Sequence, residues 1–409
     1  MARYLDVFLG SSKVGVLEQD DHGALVFGYE PAWLTSPRAV PLSVSLPLRE
    51  ARYPSRECRP FFAGLLPEEA NRKGVARVFG VSERNDFALL ERIGAECAGA
   101  VSVLPTGEIP RAGVASYRQI DPDELGEKLS SLPQAPMLAG EDGIRLSLAG
   151  AQSKAAVAMR DGAYLLPLDG SPSTHILKPD SDRFPGLVGN EFFCMSLAAG
   201  LGLDVASVEI EVAGGVRFLQ VSRYDRRPDG AGGWQRIHQE DFCQALGIAP
   251  ELKYQGEGGP GWKDCFELVR AHSTAPALDV LRLFDAAVFN FLIGNNDAHG
   301  KNFSFMYDDG ETRLAPLYDL VSTELYPGLS LRMAMKIGKE KEAAQVRMKH
   351  WLTFCEDARL SSTMAVKRMC TLAFKAKQQA SALAASVTRT DGIAQIVDRH
   401  ASAMLALRA

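Results

Sequence analysis

Apolar and polar positions alternate in short runs over the first part of the chain, and turn residues separate the runs. This period of two is typical of β-strands with one buried face. It predicts strands at residues 4–9, 13–18, 24–29 and 41–48. Apolar residues at helical spacing predict helices at 60–79 and 86–93. We therefore expect a small α+β unit over residues 1–110, followed by a connecting region over 111–143 that is rich in Pro, Gly, Asp and Ser.

A second pattern begins near residue 144. Short apolar runs predict strands at 145–148, 155–166 (a hairpin turned at Asp161-Gly162), 175–178, 208–212 and 216–221. Helical spacing then predicts helices at 190–201, 239–246, 263–272 and 277–294 and through the tail at 349–409, with strand pieces at 302–307 and 313–317.

This order of elements is the skeleton of a two-lobed kinase. A hairpin, a strand that carries a lysine, a helix and a second hairpin are followed by a largely helical half. We predict an α+β, protein-kinase-like fold with an added N-terminal subdomain. Its β-rich N-lobe core would cover residues 144–224 and its all-helical C-lobe residues 225–409. Fold alone does not fix function.

The composition narrows the class of protein. Of the 409 residues, 46% are hydrophobic and 23% are charged, which excludes disorder over most of the chain. The net charge of -5 argues against a protein that coats nucleic acid by itself, because such proteins need a basic face. A local basic patch remains compatible with this charge.

The pattern of cysteines and the hydropathy both indicate the cytoplasm. The seven cysteines are scattered, their number is odd, and none forms a C-x-x-C pair. This is typical of reduced thiols that act as small buried hydrophobes rather than of a disulfide framework or a zinc site. Neither a secretory signal nor an apolar run of membrane-spanning length is visible, so we expect a cytoplasmic protein without membrane contact.

The stretch NFLIGNNDAHGKNFS at 290–304 carries the sharpest chemical pattern. Asp297 and Asn302 are five positions apart, and Asp319 follows in LYDL. In phosphoryl transfer, one carboxylate accepts the proton of the attacking hydroxyl, while an amide and a second carboxylate hold Mg²⁺. The same spacing also fits a polar loop whose Asp and Asn side chains cap turns, and it does not decide between the two.

Two further stretches are weaker signals. The turn RLSLAGAQSK at 145–154 has small residues whose N–H groups could form a phosphate-binding nest, but an ordinary hairpin turn has the same composition. Lys178 in THILKP suits a charge aimed at phosphates, or an edge-strand lysine that prevents pairing. These features occur together in kinase order, and that joint occurrence favours the kinase interpretation.

Several stretches together resemble one family. They are RLSLAGAQSK, STHILKP, NEFFC, SRYDR, HQEDFCQALG, KYQGEGGPG, NNDAHGKNFS and LAPLYDL, with RPFFAGLLPE and DFALLERIGAECAGAVSVLP nearer the N-terminus. They resemble HipA, the serine/threonine-kinase toxin of bacterial type II toxin–antitoxin systems. The resemblance covers residues 3 to 330 and is weaker in the tail.

The resemblance implies roles for individual residues. Asp297 would be the catalytic base, Asn302 and Asp319 would be ligands of Mg²⁺, and Ser147 would be a site of inhibitory autophosphorylation. The resemblance also implies which residues bind ATP. They are the phosphate loop, Ala149, Gly150, Ala151, Gln152, Ser153 and Lys154; the strand residue Lys178; and the hinge, Ser222, Arg223 and Tyr224. His299, Gly300, Lys301, Asn302, Tyr318, Asp319, Leu320 and Val321 would line the nucleotide and metal site.

The resemblance also implies a function and partners. The chain would phosphorylate a translation protein, typically an aminoacyl-tRNA synthetase of the glutamyl type, and so cause growth arrest and persistence. Its partners would be a HipB-like helix-turn-helix antitoxin and, mainly through that antitoxin, operator DNA.

Two alternatives remain open from the sequence. The first is a kinase-fold corepressor that acts mainly in an antitoxin–DNA complex, with basic C-terminal residues that touch phosphates or simply form a solvated helix face. These residues are Lys339, Lys341, Arg347, Lys349, Lys367, Arg368, Lys375 and Lys377. The second is a related kinase that acts on a small molecule or a lipid, which no sequence feature selects.

Overall fold

The structure, a computed structural model, describes residues 2–110, 116–230 and 232–407. Its strands are β1 (Arg3–Leu9), β2 (Ser12–Gln19), β3 (Leu25–Tyr29), β4 (Tyr53–Pro54), β5 (Val101–Pro105), β6 (Ser116–Ile120), β7 (Ala155–Arg160), β8 (Ala163–Leu168), β9 (His175–Pro179), β10 (Val208–Ala213), β11 (Val216–Ser222), β12 (Arg226–Pro228), β13 (Trp234–Arg236), β14 (His238–Asp241), β15 (Ser304–Asp308), β16 (Glu311–Leu314), β17 (Arg332–Ile337) and β18 (Glu340–Glu342).

The helices are α1 (Pro31–Leu34), α2 (Ser55–Gly64), α3 (Glu69–Phe79), α4 (Asp86–Ile93), α5 (Pro122–Ser131), α6 (Leu187–Gly200), α7 (Phe242–Ala245), α8 (Trp262–His272), α9 (Pro276–Leu292), α10 (Met348–Asp357), α11 (Ser362–Ala384) and α12 (Asp391–Ala406). The predicted α+β class is therefore confirmed. No helix in the described parts of the chain is long and apolar enough to cross a membrane.

The chain divides into two compact units. The first comprises Met1–Pro179, Glu211–Pro250 and Met306–Asp309, and the second comprises Asp180–Ile210, Glu251–Phe305 and Gly310–Ala409. The domain boundaries predicted after residues 110, 143 and 224 stay predictions, and the first residues of the predicted connecting region, 111–115, lie outside the described residues.

The first unit begins with a five-stranded sheet in the order β4-β3-β2-β1-β5. The predicted meander is confirmed, since β1 pairs with β2 and β2 with β3, all antiparallel. Phe27 of β3 is fully buried and packs its ring 4.9 Å from Tyr29 and 5.3 Å from Phe62 of α2. The contact between Phe27 and Phe62 packs α2 against one face of the sheet.

Two predictions in this region are wrong. Residues 41–48 form no strand, because the chain turns back through a single bridge between Ser43 and Leu46, and prolines 41 and 47 lack the N–H that a strand ladder needs. The helix predicted over 60–79 is two helices, α2 and α3. The break falls at Pro67, which cannot continue a helix.

A six-stranded sheet completes the first unit, in the order β10-β11-β9-β7-β8-β6, with Glu211–Ala213 as the part of β10 in this unit. The predicted hairpin turn is confirmed: Asp161 and Gly162 both have positive φ, 50° and 79°, as a type I′ turn requires. Residues 145–148 form one bridge, Glu96 to Leu146, instead of the predicted strand.

Two further segments differ from the prediction. The region around 111–143 contains β6 and α5, because Asp121 caps α5 by accepting the Glu124 N–H at 2.8 Å and Pro122 opens the helix. The helix predicted at 239–246 is the strand β14 followed by the short helix α7. There the Asp241 side chain accepts the N–H of Gln244, and the Gln244 side chain accepts the N–H of Asp241.

The second unit is built around α9, whose central residues are buried on nearly every side. The predicted helices at 190–201, 263–272 and 277–294 are confirmed, and the predicted helical tail is α10, α11 and α12. Phe284 of α9 packs 5.7 Å from Phe354 of α10, which lies 5.5 Å from Phe266 of α8. The unit also contains the short strands β16, β17 and β18. The part of the chain predicted to form an all-helical C-lobe, residues 225–409, is therefore not all helical, since β12 to β18 lie within it.

The seven cysteines are free and buried, as the sequence predicts. Cys58, Cys97 and Cys243 belong to the first unit, and the second unit contains Cys194, Cys265, Cys355 and Cys370. Each therefore serves as a small core residue.

Candidate active site

Asp297 lies in a loop that follows α9 and is shaped by the loop's own side-chain amides. Asn295 donates from its Nδ2 to Oδ1 of Asn290 at 2.7 Å, and its own Oδ1 accepts the N–H of Asp297 at 3.1 Å. The N–H of Asn296 donates to Oγ1 of Thr323 at 2.8 Å. Because these groups are largely buried, their hydrogen bonds hold the backbone of Asp297 in place, while its side chain is exposed.

Asn302 links this loop to Asp319. Its Oδ1 accepts the N–H of His299 at 3.0 Å, and its Nδ2 donates to Oδ2 of Asp319 at 3.3 Å. The structure thus brings together two residues that are 17 positions apart in the chain. The Tyr318 hydroxyl, which donates to the carbonyl of Lys301 at 2.8 Å, provides a second link between the same two segments.

Asp319 has the left-handed backbone conformation, with φ of 59°, which is uncommon for a residue that is not glycine. The chain just after it is held by Asn190 of α6, a buried residue. Asn190 accepts the N–H of Ser322 at 2.8 Å through Oδ1 and donates to its carbonyl at 3.0 Å through Nδ2. Strained conformations of this kind persist where the surroundings over-determine them.

Sequence reasoning missed two residues of this region. One is Asn190, and the other is Tyr254, whose hydroxyl donates to Oδ1 of Asp297 at 2.9 Å. Both lie in stretches that carry the family resemblance, NEFFC and KYQGEGGPG. A polar residue within the apolar helix around position 190 was a signal available from the sequence. The partner of Tyr254 was not, since it lies 43 positions away.

The loop predicted to bind phosphate lies in the first unit, between the bridge at Leu146 and β7. Gly150 has φ of 107°, a conformation suited to glycine, and Nζ of Lys154 donates to the carbonyl of Ala149 at 2.6 Å. Ser147 is completely buried, and its Oγ donates to the carbonyl of Leu65 at 2.7 Å.

Lys178 and the predicted hinge lie on adjacent strands of the six-stranded sheet. Lys178 of β9 is opposite Leu219 of β11, and Ser222 ends β11 opposite His175. The Lys178 side chain is largely buried. The N–H of Arg223 donates to the carbonyl of Thr174 at 2.9 Å. Lys178 and the hinge are therefore held by the same pair of strands, β9 and β11, in the first unit.

A buried ion-pair cluster anchors the hinge. Arg223 donates to both carboxylate oxygens of Asp225, at 2.9 and 2.8 Å, and Glu96 accepts from Arg223 at 3.2 Å and from Arg226 at 2.7 Å. Burial alone would raise the pKa of the Glu96 carboxyl. The charges of Arg223, Arg226 and Arg236 outweigh burial and hold that pKa below its usual value.

Glu240 of β14 is a buried carboxyl with the opposite behaviour. It accepts hydrogen bonds from the hydroxyls of Ser43 and Tyr307 and from the N–H of Val44 at 2.9 Å. Burial raises the pKa of Glu240 to about 7, and these hydrogen bonds only partly oppose it. The contact with Val44 also explains why the chain turns at residues 43–46 instead of forming a strand.

The remaining predicted residues fall in these same segments. Ala151, Gln152 and Ser153 belong to the phosphate loop, Tyr224 donates from its hydroxyl to Gln239, Gly300 lies in the 3₁₀ turn before Asn302, Leu320 is buried, and Val321 precedes Ser322. Across the described residues, no cluster of three or more His, Cys, Asp or Glu side chains could hold a metal ion.

Two family models match most of the chain. A model of the HipA-like C-terminal domain matches residues 146–389, and a model of the HipA N-terminal domain matches residues 5–104. The chain is 52% identical over 374 residues to the putative kinase Y4mE of Sinorhizobium fredii, which covers 90% of this chain and 89% of that protein.

A second relative has a more specific name. The chain is 32% identical over 388 residues to the serine/threonine-protein kinase toxin HipA of Shewanella oneidensis, covering 91% of this chain and 88% of that protein. A solved complex of HipA, HipB and operator DNA from Shewanella oneidensis contains a chain that matches with a TM-score of 0.83 and 29% identity, over 98% of this chain and 96% of that one. This match confirms the predicted kinase-like fold.

Proposed function

This chain belongs to the HipA family, and from that premise we propose that it is an ATP-dependent serine/threonine-protein kinase and the toxin of a toxin–antitoxin system. The observation that carries the proposal is the link of Asn302 to both His299 and Asp319 in the loop that carries Asp297. A polar loop that merely caps its own turns has no need of a carboxylate from 17 positions further along the chain.

The donor set fits Mg²⁺. Asn302 and Asp319 offer oxygen atoms, which this hard cation prefers, and the Asn302 oxygen retains a second lone pair beside its bond from His299. Mg²⁺ usually takes one or two protein ligands and completes its shell with water and phosphate oxygens, which agrees with so small a set of side chains. When bound, it would neutralise the charge on the transferred phosphate.

Asp297 would act as the base. The serine hydroxyl oxygen of the substrate forms a bond to the γ-phosphorus of ATP, and the bond from that phosphorus to the β–γ bridging oxygen breaks to leave ADP. The hydroxyl proton passes to the Asp297 carboxylate. Tyr254 would orient that carboxylate by its hydrogen bond to Oδ1.

The first unit would bind the nucleotide. We assign the ATP phosphates to Lys178 and the loop 149–154, and the adenine to backbone groups of Ser222–Tyr224. Ser147 would accept a phosphate from the enzyme itself. A phosphate carries up to about two negative charges, which a loop built to bind phosphate does not accommodate beside it.

The substrate would be an aminoacyl-tRNA synthetase, typically the glutamyl enzyme, and the partners a HipB-like antitoxin and, through it, operator DNA. The substrate class is the one that the family resemblance implies, and the Shewanella oneidensis complex of HipA, HipB and operator DNA supports the partners. The corepressor alternative is less favoured, because Arg368 already pairs with Asp285 and Lys377 with Asp398, which removes two of the basic residues proposed for DNA.

The test uses purified full-length protein, ATP labelled in its γ-phosphate, and a panel of synthetases. Wild type should label a synthetase. Asp297→Asn should lower the rate by about 10²–10⁴-fold, the range of general base catalysis. Asp398→Asn, the same change at a surface ion pair of the same unit, should leave the rate unchanged.

Two results would contradict the proposal. Equal rates for Asp297→Asn and wild type would reject Asp297 as the base. A wild-type protein that labels neither any synthetase nor itself would reject the kinase activity.

A further inference from the structure

One amide of the N-terminal subdomain meets three carbonyls of the phosphate loop. Asn71 of α3 is buried, and its Nδ2 lies 3.4, 3.0 and 2.9 Å from the carbonyl oxygens of Gly150, Ala151 and Gln152. The N–H of Glu68, just before α3, donates to the same Gly150 oxygen at 3.3 Å. The loop therefore curls around a single side chain.

These hydrogen bonds to Asn71 fix the direction of the loop's N–H groups. In a trans peptide the C=O of one residue and the N–H of the next point in opposite directions. Carbonyls that converge on Asn71 therefore turn the N–H groups of Ala151, Gln152 and Ser153 away from α3. Successive N–H groups turned to one side are what a phosphate-binding nest requires.

The carbonyl oxygens would repel one another without a donor between them. The loop's own side chains are small or partly exposed and offer little packing. Release of the loop would uncover Lys154, which lies within it and is 9% exposed.

We propose that Asn71 is a positioning residue that holds the phosphate loop 149–154 inward. It thereby sets the balance between a conformation that binds ATP phosphates and an open one in which Lys154 is accessible. The consequence for ATP rests on the proposed kinase function, whereas the contact itself is tested without nucleotide.

The first experiment is limited trypsin digestion of the full chain without ATP. Cleavage after Lys154 is measured by mass spectrometry relative to cleavage after Arg226, a buried site of the same unit. Cleavage of an opened segment follows the population of the open form. Loss of a hydrogen bond of ordinary strength in Asn71→Ala should raise this ratio roughly five- to tenfold.

Two variants make the result specific. Asn71→Asp has the same shape but places a carboxylate oxygen against the carbonyls, so it should raise the ratio at least as much as Asn71→Ala. Asn85→Ala removes the cap of α4 in the same unit, where Oδ1 accepts the Ala88 N–H at 3.0 Å, and should leave the ratio unchanged. Ratios in both Asn71 variants equal to wild type would overturn the proposal.

The second experiment adds ATP. Asn71→Ala should raise the KM for ATP about five- to tenfold and change kcat less. If wild type shows no kinase activity but the Lys154 ratio rises in Asn71→Ala, the proposed function fails and the role of Asn71 in holding the loop stands. If the kinase is active and the ratio is unchanged, the Asn71 proposal fails alone.

Discussion

The loop that carries Asp297 and the phosphate loop are held in place by different kinds of hydrogen bond. The Asp297 loop is held by its own Asn295 and Asn302, which bond to the backbone and side chains of neighbouring residues. The phosphate loop has small side chains and is held from outside by Asn71. The first loop combines bonds from its own amides with contacts to Thr323 and Glu324 of the same unit. The second has one internal bond, from Lys154 to the Ala149 carbonyl, and otherwise depends on Asn71 of a distant helix. A loop of the second kind is the easier one to release.

The largest expected effect comes from a matched pair of Asn→Ala changes. Asn190→Ala leaves a buried N–H and a buried carbonyl of Ser322 unpaired, so it should lower the free energy of unfolding by about 2–5 kcal/mol. Asn71→Ala should lower the free energy of unfolding by only about 1 kcal/mol, because the carbonyls of an opened phosphate loop can bond to water instead. Urea unfolding followed by tryptophan fluorescence measures both. Equal losses would show that the phosphate loop is held as firmly as the segment at Ser322.

An intermediate effect is expected at Tyr254, the outside contact of Asp297. Because other contacts also hold the Asp297 loop, Tyr254→Phe removes only one hydrogen bond worth about 0.5–1.5 kcal/mol and should lower kcat by about two- to tenfold. Steady-state phosphoryl transfer to a synthetase provides the measurement. Tyr117→Phe in the first unit, whose hydroxyl donates to the Pro172 carbonyl, should leave kcat unchanged. A loss above a hundredfold would mean that the Asp297 loop depends on Tyr254 for its shape, as the phosphate loop depends on Asn71.

The smallest effect concerns Glu324, whose N–H donates to the Gly294 carbonyl at the start of the Asp297 loop. The hydrogen bond from His400 lowers the pKa of the Glu324 carboxyl, burial opposes it, and the charges of His400 and Arg399 add to the lowering. A lowered carboxyl pKa stabilises the fold above the unfolded pKa, and this stability is lost as pH falls through the folded value. The contribution should be less than about 1 kcal/mol, because the site is partly exposed.

Urea unfolding at pH values from neutral to acidic would measure this contribution. Wild type should lose more stability than Glu324→Gln as the pH falls, since the amide cannot be protonated in that range. Parallel curves for the two proteins would show that Glu324 adds no pH dependence.

The sequence predicted what depends on local pattern. The meander β1 to β3, the hairpin at Asp161-Gly162 and the helix at 86–93 follow from period, turn residues and capping, and each is confirmed. Residues 41–48 had an apolar pattern that suits a strand, but Glu240, nearly 200 positions away, captures the Val44 N–H. Periodicity contains no information about such a partner.

The candidate residues divide in the same way. Asp297, Asn302 and Asp319 were found because their spacing reflects the chemistry of phosphoryl transfer, and their roles remain proposals. Asn71 and Asn190 were not found, since each acts by bonding to backbone groups 79 or more positions away. The sequence shows such residues as ordinary polar positions within helices.

The seven buried cysteines give the chain a set of built-in chemical reporters. Burial raises the pKa of the Cys58 and Cys97 thiols to about 12, so in the folded protein these thiols stay protonated and unreactive toward alkylating agents. Three cysteines lie in the first unit and four in the second. Pulsed alkylation with peptide mapping would therefore time the opening of each unit separately, without changing a residue of the chain.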